Sequence, residues 1–194
     1  MKNPKEKGNK YERKIAKLFS EWLGIKDGVW RIDSGSKATN NPQISKYYHG
    51  DLIPIHPDVY WFFDIFSIEC KDVKLKTLNL LKLFTIGNKK WPFHELWKQA
   101  KREAKQSKRI PLLIFHLPNS KFDLIMVDSK YPAIKSFIEK HPIKVFSFNI
   151  NGHLWLFKLQ DLMKYISPKD VQFHFGSSVF YKNDVFFTKI GGNE

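Results

Sequence analysis

Cysteine is almost missing from this 194-residue chain: Cys70 is its only one. That excludes a disulfide framework and any multi-cysteine zinc site. Long hydrophobic runs are missing too. The most apolar stretch, Val59 to Cys70, is too short to span a bilayer and carries Asp64 and Glu69. The first ten residues, MKNPKEKGNK, hold no apolar segment that would serve as a signal-peptide core. These absences predict a soluble protein in a reducing, intracellular compartment, the cytoplasm, with no membrane partner. No phosphate-cradling GxxxxGK[ST] or GxGxxG string occurs, so no nucleotide cofactor is expected. There is no GxSxG and no Cys/His pair for nucleophilic catalysis, and the seven histidines show no ligand spacing.

Acidic residues are scarce beside basic ones: 19 against 33, a net charge of +14 and an isoelectric point near 9.7. Such a surplus predicts an anionic partner, nucleic acid before acidic protein or lipid. Arginine is rare, at positions 13, 31, 102 and 109, so lysine carries the charge and each arginine invites a question. With 42% hydrophobic residues the chain has enough apolar material for a real core.

Apolar periodicity predicts a helix over 8–24, with Tyr11, Ile15, Phe19 and Leu23 on one face and Gly24 as a stop. Strands are expected at Val29–Ile32, Asp51–Ile55 and Ile65–Lys71, the last two joined by a turn at His56-Pro57-Asp58. The polar stretch from Ser34 to Gly50 reads as a functional or mobile loop. Trp91-Pro92 opens a second long helix running to about Ser107. Pro111–His116 and Phe122–Val127 read as a hairpin, Tyr131–Lys140 as a helix, and Asn151-Gly152 as a turn between two further strands. Leu159–Ile166 reads as a short helix, and the Phe-rich end as edge strands or a tail. This order predicts one α/β domain over 1–194 with a central mixed sheet flanked by helices. Its core covers about 7–127, and a C-terminal α+β extension covers about 128–194.

Candidate chemistry gathers on few residues. On a strand, Ser67, Glu69 and Lys71 face one way and Phe66, Ile68 and Cys70 the other, with Glu69 and Lys71 about 7 Å apart. The same acid-x-lysine string also occurs at Glu12, Asp72, Glu103 and Asp128 in this lysine-rich chain. Only Glu69/Lys71 has an apolar run-in, and an edge-strand ion pair explains the string equally well. Asp51 opens the preceding strand, which an antiparallel pairing would bring beside Glu69. Asp58, in a Pro-Asp pair, is a rival better read as turn-forming. Two carboxylates without cysteine or clustered histidine favour a hard cation, Mg²⁺ or Mn²⁺. Glu12 falls inside the apolar stripe of the first helix, where it needs a partner or must reach solvent. Arg31 with Ser34, Gly35, Ser36 and Lys37 offers guanidinium, hydroxyl and backbone N–H donors for a phosphate. Gln99 and Glu103 border the apolar stripe of the second long helix, and His49 lies beside the loop.

Together these elements resemble the PD-(D/E)xK nuclease superfamily, and most closely the archaeal and phage-type Holliday-junction resolvases. The resemblance rests on Gly8-Asn9-Lys10-Tyr11-Glu12-Arg13 in the opening helix, on Arg31-Ile32-Asp33-Ser34-Gly35-Ser36-Lys37, on Asp51-Leu52-Ile53 and on Ile68-Glu69-Cys70-Lys71, in that order over roughly 7–116. It implies a restriction-endonuclease-like core and a metal-dependent DNA endonuclease acting on four-way junctions. In that reading Asp51, Glu69, the Cys70 backbone carbonyl and Glu12 hold the metal, and Lys71 is catalytic with Glu12, Asp51 and Glu69. Arg31, Ser34, Ser36, Lys37 and Gln99 would contact DNA, and two symmetric nicks would require a homodimer. A restriction- or repair-type nuclease, or a basic DNA-binding protein without catalysis, are the alternatives.

Overall fold

A computed structural model describes residues 4–32, 45–73, 92–148 and 153–176. Helix α1 (Pro4–Leu23) buries Tyr11, Ile15, Ala16 and Phe19 along one stripe. It ends at Gly24, whose φ of 77° suits the left-handed stop that glycine adopts without strain. Strands β1 (Val29–Arg31) and β2 (Leu52–Pro54) form a short antiparallel ribbon, Arg31 opposite Leu52. The hydroxyl of Ser20 accepts the Val29 N–H at 3.0 Å, which pins α1 to this ribbon.

A five-stranded mixed sheet follows, ordered β3-β4-β5-β7-β6. Strands β3 (Phe66–Asp72) and β4 (Ile110–His116) run parallel, with helix α3 (Pro92–Gln106) between them in sequence. Strands β5 (Asp123–Asp128), β6 (Phe146–Phe148) and β7 (Leu154–Lys158) add on antiparallel. Helix α4 (Pro132–Glu139) precedes β6, while α5 (Leu159–Tyr165) and α6 (Pro168–Gly176) close the described chain.

Alternation along β3 and β4 divides the interior into two layers. Ile68, Cys70, Leu112 and Ile114 pack with α1 on one side of the sheet. Leu113 and Phe115 pack with Phe93, Trp97 and Ala100 of α3 on the other. Residues after 128 extend this body: β7 pairs with β5, Phe175 of α6 lies against Phe66, and the Trp22 indole N–H donates to the Ile166 carbonyl at 3.0 Å.

Three expectations fail. The Asp51 strand, β2, pairs with β1 and not, as an antiparallel hairpin, with β3. The link between β2 and β3 is not a simple turn at His56-Pro57-Asp58. A 3-10 turn (Pro57–Val59) leads into helix α2 (Tyr60–Ile65), so β3 begins at Phe66. Short aromatic runs are ambiguous between strand and helix. Here packing decides, because a helical turn buries Phe62 and Phe63 together, Phe62 against Phe19, Trp22 and Phe66. The Phe-rich end likewise begins as a helix, α6, rather than a strand, since helical spacing buries Val171 and Phe175 together. The tail beyond Gly176 and the Asn151-Gly152 turn lie outside the described residues.

Candidate active site

The segment before β2 delivers Asp51 to the edge of β3 that faces away from β4. Tyr47 anchors it: fully buried, it stacks beneath the Arg109 guanidinium at 4.7 Å and donates its hydroxyl to Asp64 at 2.9 Å. Arg109 in turn donates to the Lys46 carbonyl at 3.0 Å. Two residues on, the Ser67 hydroxyl donates to the His49 carbonyl at 3.1 Å. Gly50 then passes so close to β3 that a Cβ would lie 2.5 Å from the Ile68 carbonyl oxygen, and its φ is 99°. Only glycine meets both demands. The Asp51 N–H donates to that same Ile68 carbonyl at 2.7 Å.

Asp51 thereby reaches Glu69 and Lys71. Its Oδ2 accepts the Cys70 N–H at 2.7 Å and the Lys71 ammonium at 3.3 Å. Lys71 also donates to Glu69 Oε1, which takes a second bond from the Gln99 amide of α3. One ammonium thus bridges two carboxylates supplied from different parts of the chain. Because N–H and C=O of one strand residue point to the same edge, the Cys70 carbonyl shares the outer edge of β3 with Asp51.

Glu69 is 2% exposed. Burial, then the negative charge of Asp51, pushes its carboxyl up to about 7 despite Lys71. Burial lowers the Lys71 ammonium, but the two carboxylates outweigh it and hold it above the ordinary lysine range. Glu12 approaches from α1, where Arg31 Nη1 donates to its Oε2 at 3.3 Å and to the Ile32 carbonyl at 3.2 Å. Its carboxyl is raised by burial and by Asp51, against the pull of Arg31. The site lies where α1, the ribbon, the β3 edge and α3 meet.

Glu12, Arg31, Asp51, Glu69, Lys71 and Gln99 therefore all border one region, while Ser34, Ser36 and Lys37 lie outside the described residues. Arg31 is buried against Glu12, and Gln99 is engaged by Glu69. Asp58 stands apart, its side chain 67% exposed and 3.7 Å from His56. Glu103 Oε2 lies 4.0 Å from His49 Nδ1, and its charge helps raise Glu69. Tyr47, Ser67 and Arg109 escape sequence reasoning as supports of the site. The signals for them are glycine immediately before the aspartate and, for Arg109, the rarity of arginine.

Among the described residues no three His, Cys, Asp or Glu side chains form a ready-made metal cage. The donor set nevertheless suits a hard cation: two neighbouring carboxylates, with Glu69 lifted by burial and then by Asp51, beside an outward backbone carbonyl. No described helix is long and apolar enough to cross a membrane.

A mixed sheet flanked by helices, with an aspartate and a Glu-x-Lys strand meeting at its edge, defines a nuclease of the PD-(D/E)xK type on a restriction-endonuclease-like core. The chain belongs to the family described as "phage putative PDDEXK endonuclease", which it matches over residues 3–172. No curated protein and no solved structure matches it.

Proposed function

We propose that this chain is a metal-dependent DNA endonuclease that hydrolyses phosphodiester bonds in branched DNA, with four-way junctions as its leading substrate. The observation that carries the hydrolytic reading is the single lysine ammonium shared by Asp51 and Glu69 at the β3 edge. Asp51, Glu69, the Cys70 carbonyl and Glu12 would hold Mg²⁺ or Mn²⁺. Such an ion, when bound, polarises a phosphate and lowers the pKa of bound water.

The other tasks fall to the chain. Lys71 stays cationic beside two carboxylates, so its ammonium can orient the attacking water and offset charge gathering on the phosphate oxygens. Gln99 holds the Glu69 carboxylate in place with a bond that does not depend on Lys71. Arg31 fixes Glu12 and neutralises part of its charge, keeping a third carboxylate near the site. The Gly50 turn and the Tyr47 anchor fix the backbone of Asp51 before substrate arrives.

The junction preference rests on the resemblance of the opening helix and of the arginine strand with its Gly-Ser loop to resolvases. It implies a twofold dimer, because paired nicks on symmetric strands need two such sites. Incubating the protein and Mg²⁺ with labelled four-way junction, duplex, flap and single strand tests both levels. Paired symmetric nicks confined to the junction are expected, with a dimer in sedimentation. Equal cutting of plain duplex would favour a restriction- or repair-type enzyme. Binding without cutting any of the four would leave only a basic DNA-binding protein.

A further inference from the structure

Helix α3 has one face in the core and one flank at the site. Phe93, Trp97, Ala100 and Ala104 are buried, and Gln99 touches Glu69. Its solvent side carries Lys98, Arg102 and Lys105, all exposed and spaced i, i+4, i+7, so they form one ridge. Two weak pairs lie along it: Lys98 with Glu95 at 3.4 Å, and Arg102 with Glu103 Oε1 at 3.5 Å. The Lys98 and Arg102 side chains remain 58% and 67% exposed, so a phosphate can displace these partners at little cost.

Glu103 makes the ridge continuous with the site. One carboxylate oxygen holds Arg102, and the other faces His49, two residues before Asp51. A polar path therefore runs from Asp51 through His49 and Glu103 to Arg102, with Lys98 and Lys105 on either side. Lys101, three residues after Lys98 and four before Lys105, is exposed on the same side of the helix.

We propose that the Lys98–Arg102–Lys105 ridge is the track along which the phosphate backbone of a DNA duplex lies next to the scissile bond. This rests on the nuclease reading for its meaning, but it is read out by binding alone. Two arguments select a duplex. Lys98 and Lys105 are about 10 Å apart along the helix axis, a straight rigid reach that the stiff, regular backbone of a duplex can follow. The exposed face of α3 also offers no Phe, Tyr or Trp, the stacking platforms that single-strand binders use. Contacts of this kind position the nucleic acid and read no sequence.

The test compares K98Q/R102Q/K105Q with a charge-matched control, K135Q/K140Q/K144Q, whose three lysines are exposed away from α3. Binding of a labelled duplex is measured by fluorescence anisotropy without divalent cation over a range of salt. Each phosphate contact contributes about 0.9 to the slope of log K against log salt, so the ridge variant should lose about 2–3 units of slope. It should also bind about tenfold or more weakly at low salt. The control should lose less than one unit. Equal losses in both variants, or none in the ridge variant, would overturn the proposal. So would a ridge that matters for single strands and not for duplex. If the triple variant fails to fold by circular dichroism, R102E alone should still lower the slope by about one. A protein that cuts nothing refutes the nuclease reading, while its salt slopes still decide the ridge.

Discussion

Asp123 and Glu69 are buried alike, at 0% and 2% exposure, and the protein uses them in opposite ways. Asp123 opens β5 in a surrounding of donors. Lys14 of α1 reaches its Oδ2 at 2.7 Å, Gln160 of α5 reaches the same oxygen at 3.2 Å, and the His116 ring nitrogen lies 3.1 Å from Oδ1. No other carboxylate shares its partners among the described contacts, so the group ties α1 to the sheet and to α5. Glu69 has Lys71 and Gln99 but must share the lysine with Asp51, and burial first, then the charge of Asp51, pushes its carboxyl up. A buried carboxylate with its own donors holds a fold together. One that competes with a second carboxylate for a cation leaves unmet negative charge, which a functional site can use.

Removing the shared cation should produce the largest effect. Lys71→Ala is expected to cut cleavage about 10³-fold while DNA binding and the far-ultraviolet spectrum stay intact, as single-turnover assays would show. A loss of binding with unchanged chemistry per bound complex would reverse the assignment. The matching change at the other carboxylate, Lys14→Met, should cost about 1–3 kcal/mol of stability in urea unfolding, because the buried Asp123 keeps only Gln160 and His116. Its kcat for the folded fraction should remain near that of the parent.

Glu69→Gln sharpens the contrast. A carboxyl held above its unfolded value binds its proton more tightly in the native state. Its ionisation therefore costs stability as pH rises from about 4.5 through about 7, above which the loss is complete. Without divalent cation, E69Q should melt above the parent at pH 8, and the advantage should vanish near pH 5. Adding Mg²⁺ at a hundred times its dissociation constant should stabilise the parent by about 2.7 kcal/mol and E69Q by far less. A variant that melts below the parent at pH 8 would mean that Glu69 is a structural anion like Asp123.

What sequence could reveal of this contrast follows from where the signals come from. Local pattern exposed α1, the β3 alternation and α3, because each buries a stripe or face at regular spacing. The Glu69/Lys71 pair stood out by its apolar run-in. The helix at Tyr60–Ile65 stayed hidden, since five aromatic and aliphatic residues around Asp64 suit strand or helix until Phe19, Trp22 and Phe66 pack against them. The Asp123 cluster was equally illegible. Its members, 14, 116, 123 and 160, come from four elements and meet only when β4, β5, α1 and α5 are assembled. Arg109 looked notable only for its rarity, and its place on Tyr47 required the tertiary fold.

Asp58→Asn should have the smallest effect, and it separates sequence appearance from geometry. The residue sits in a literal Pro-Asp pair seven positions from Asp51, which makes it the natural suspect on paper. In the structure it belongs to the 3-10 turn, where its own N–H donates to His56 Nδ1 at 3.3 Å and its side chain is largely in solvent. An exposed pair at 3.7 Å stabilises little, so unfolding free energy should change by less than about 0.5 kcal/mol. Cleavage should stay within about twofold of the parent, while Asp51→Asn, which keeps the shape but removes the charge bound to Lys71 and the Cys70 N–H, should be inactive. Inactive D58N beside active D51N would move the metal-binding carboxylate to the far side of β2 and dissolve the pairing on which the Glu69 comparison depends.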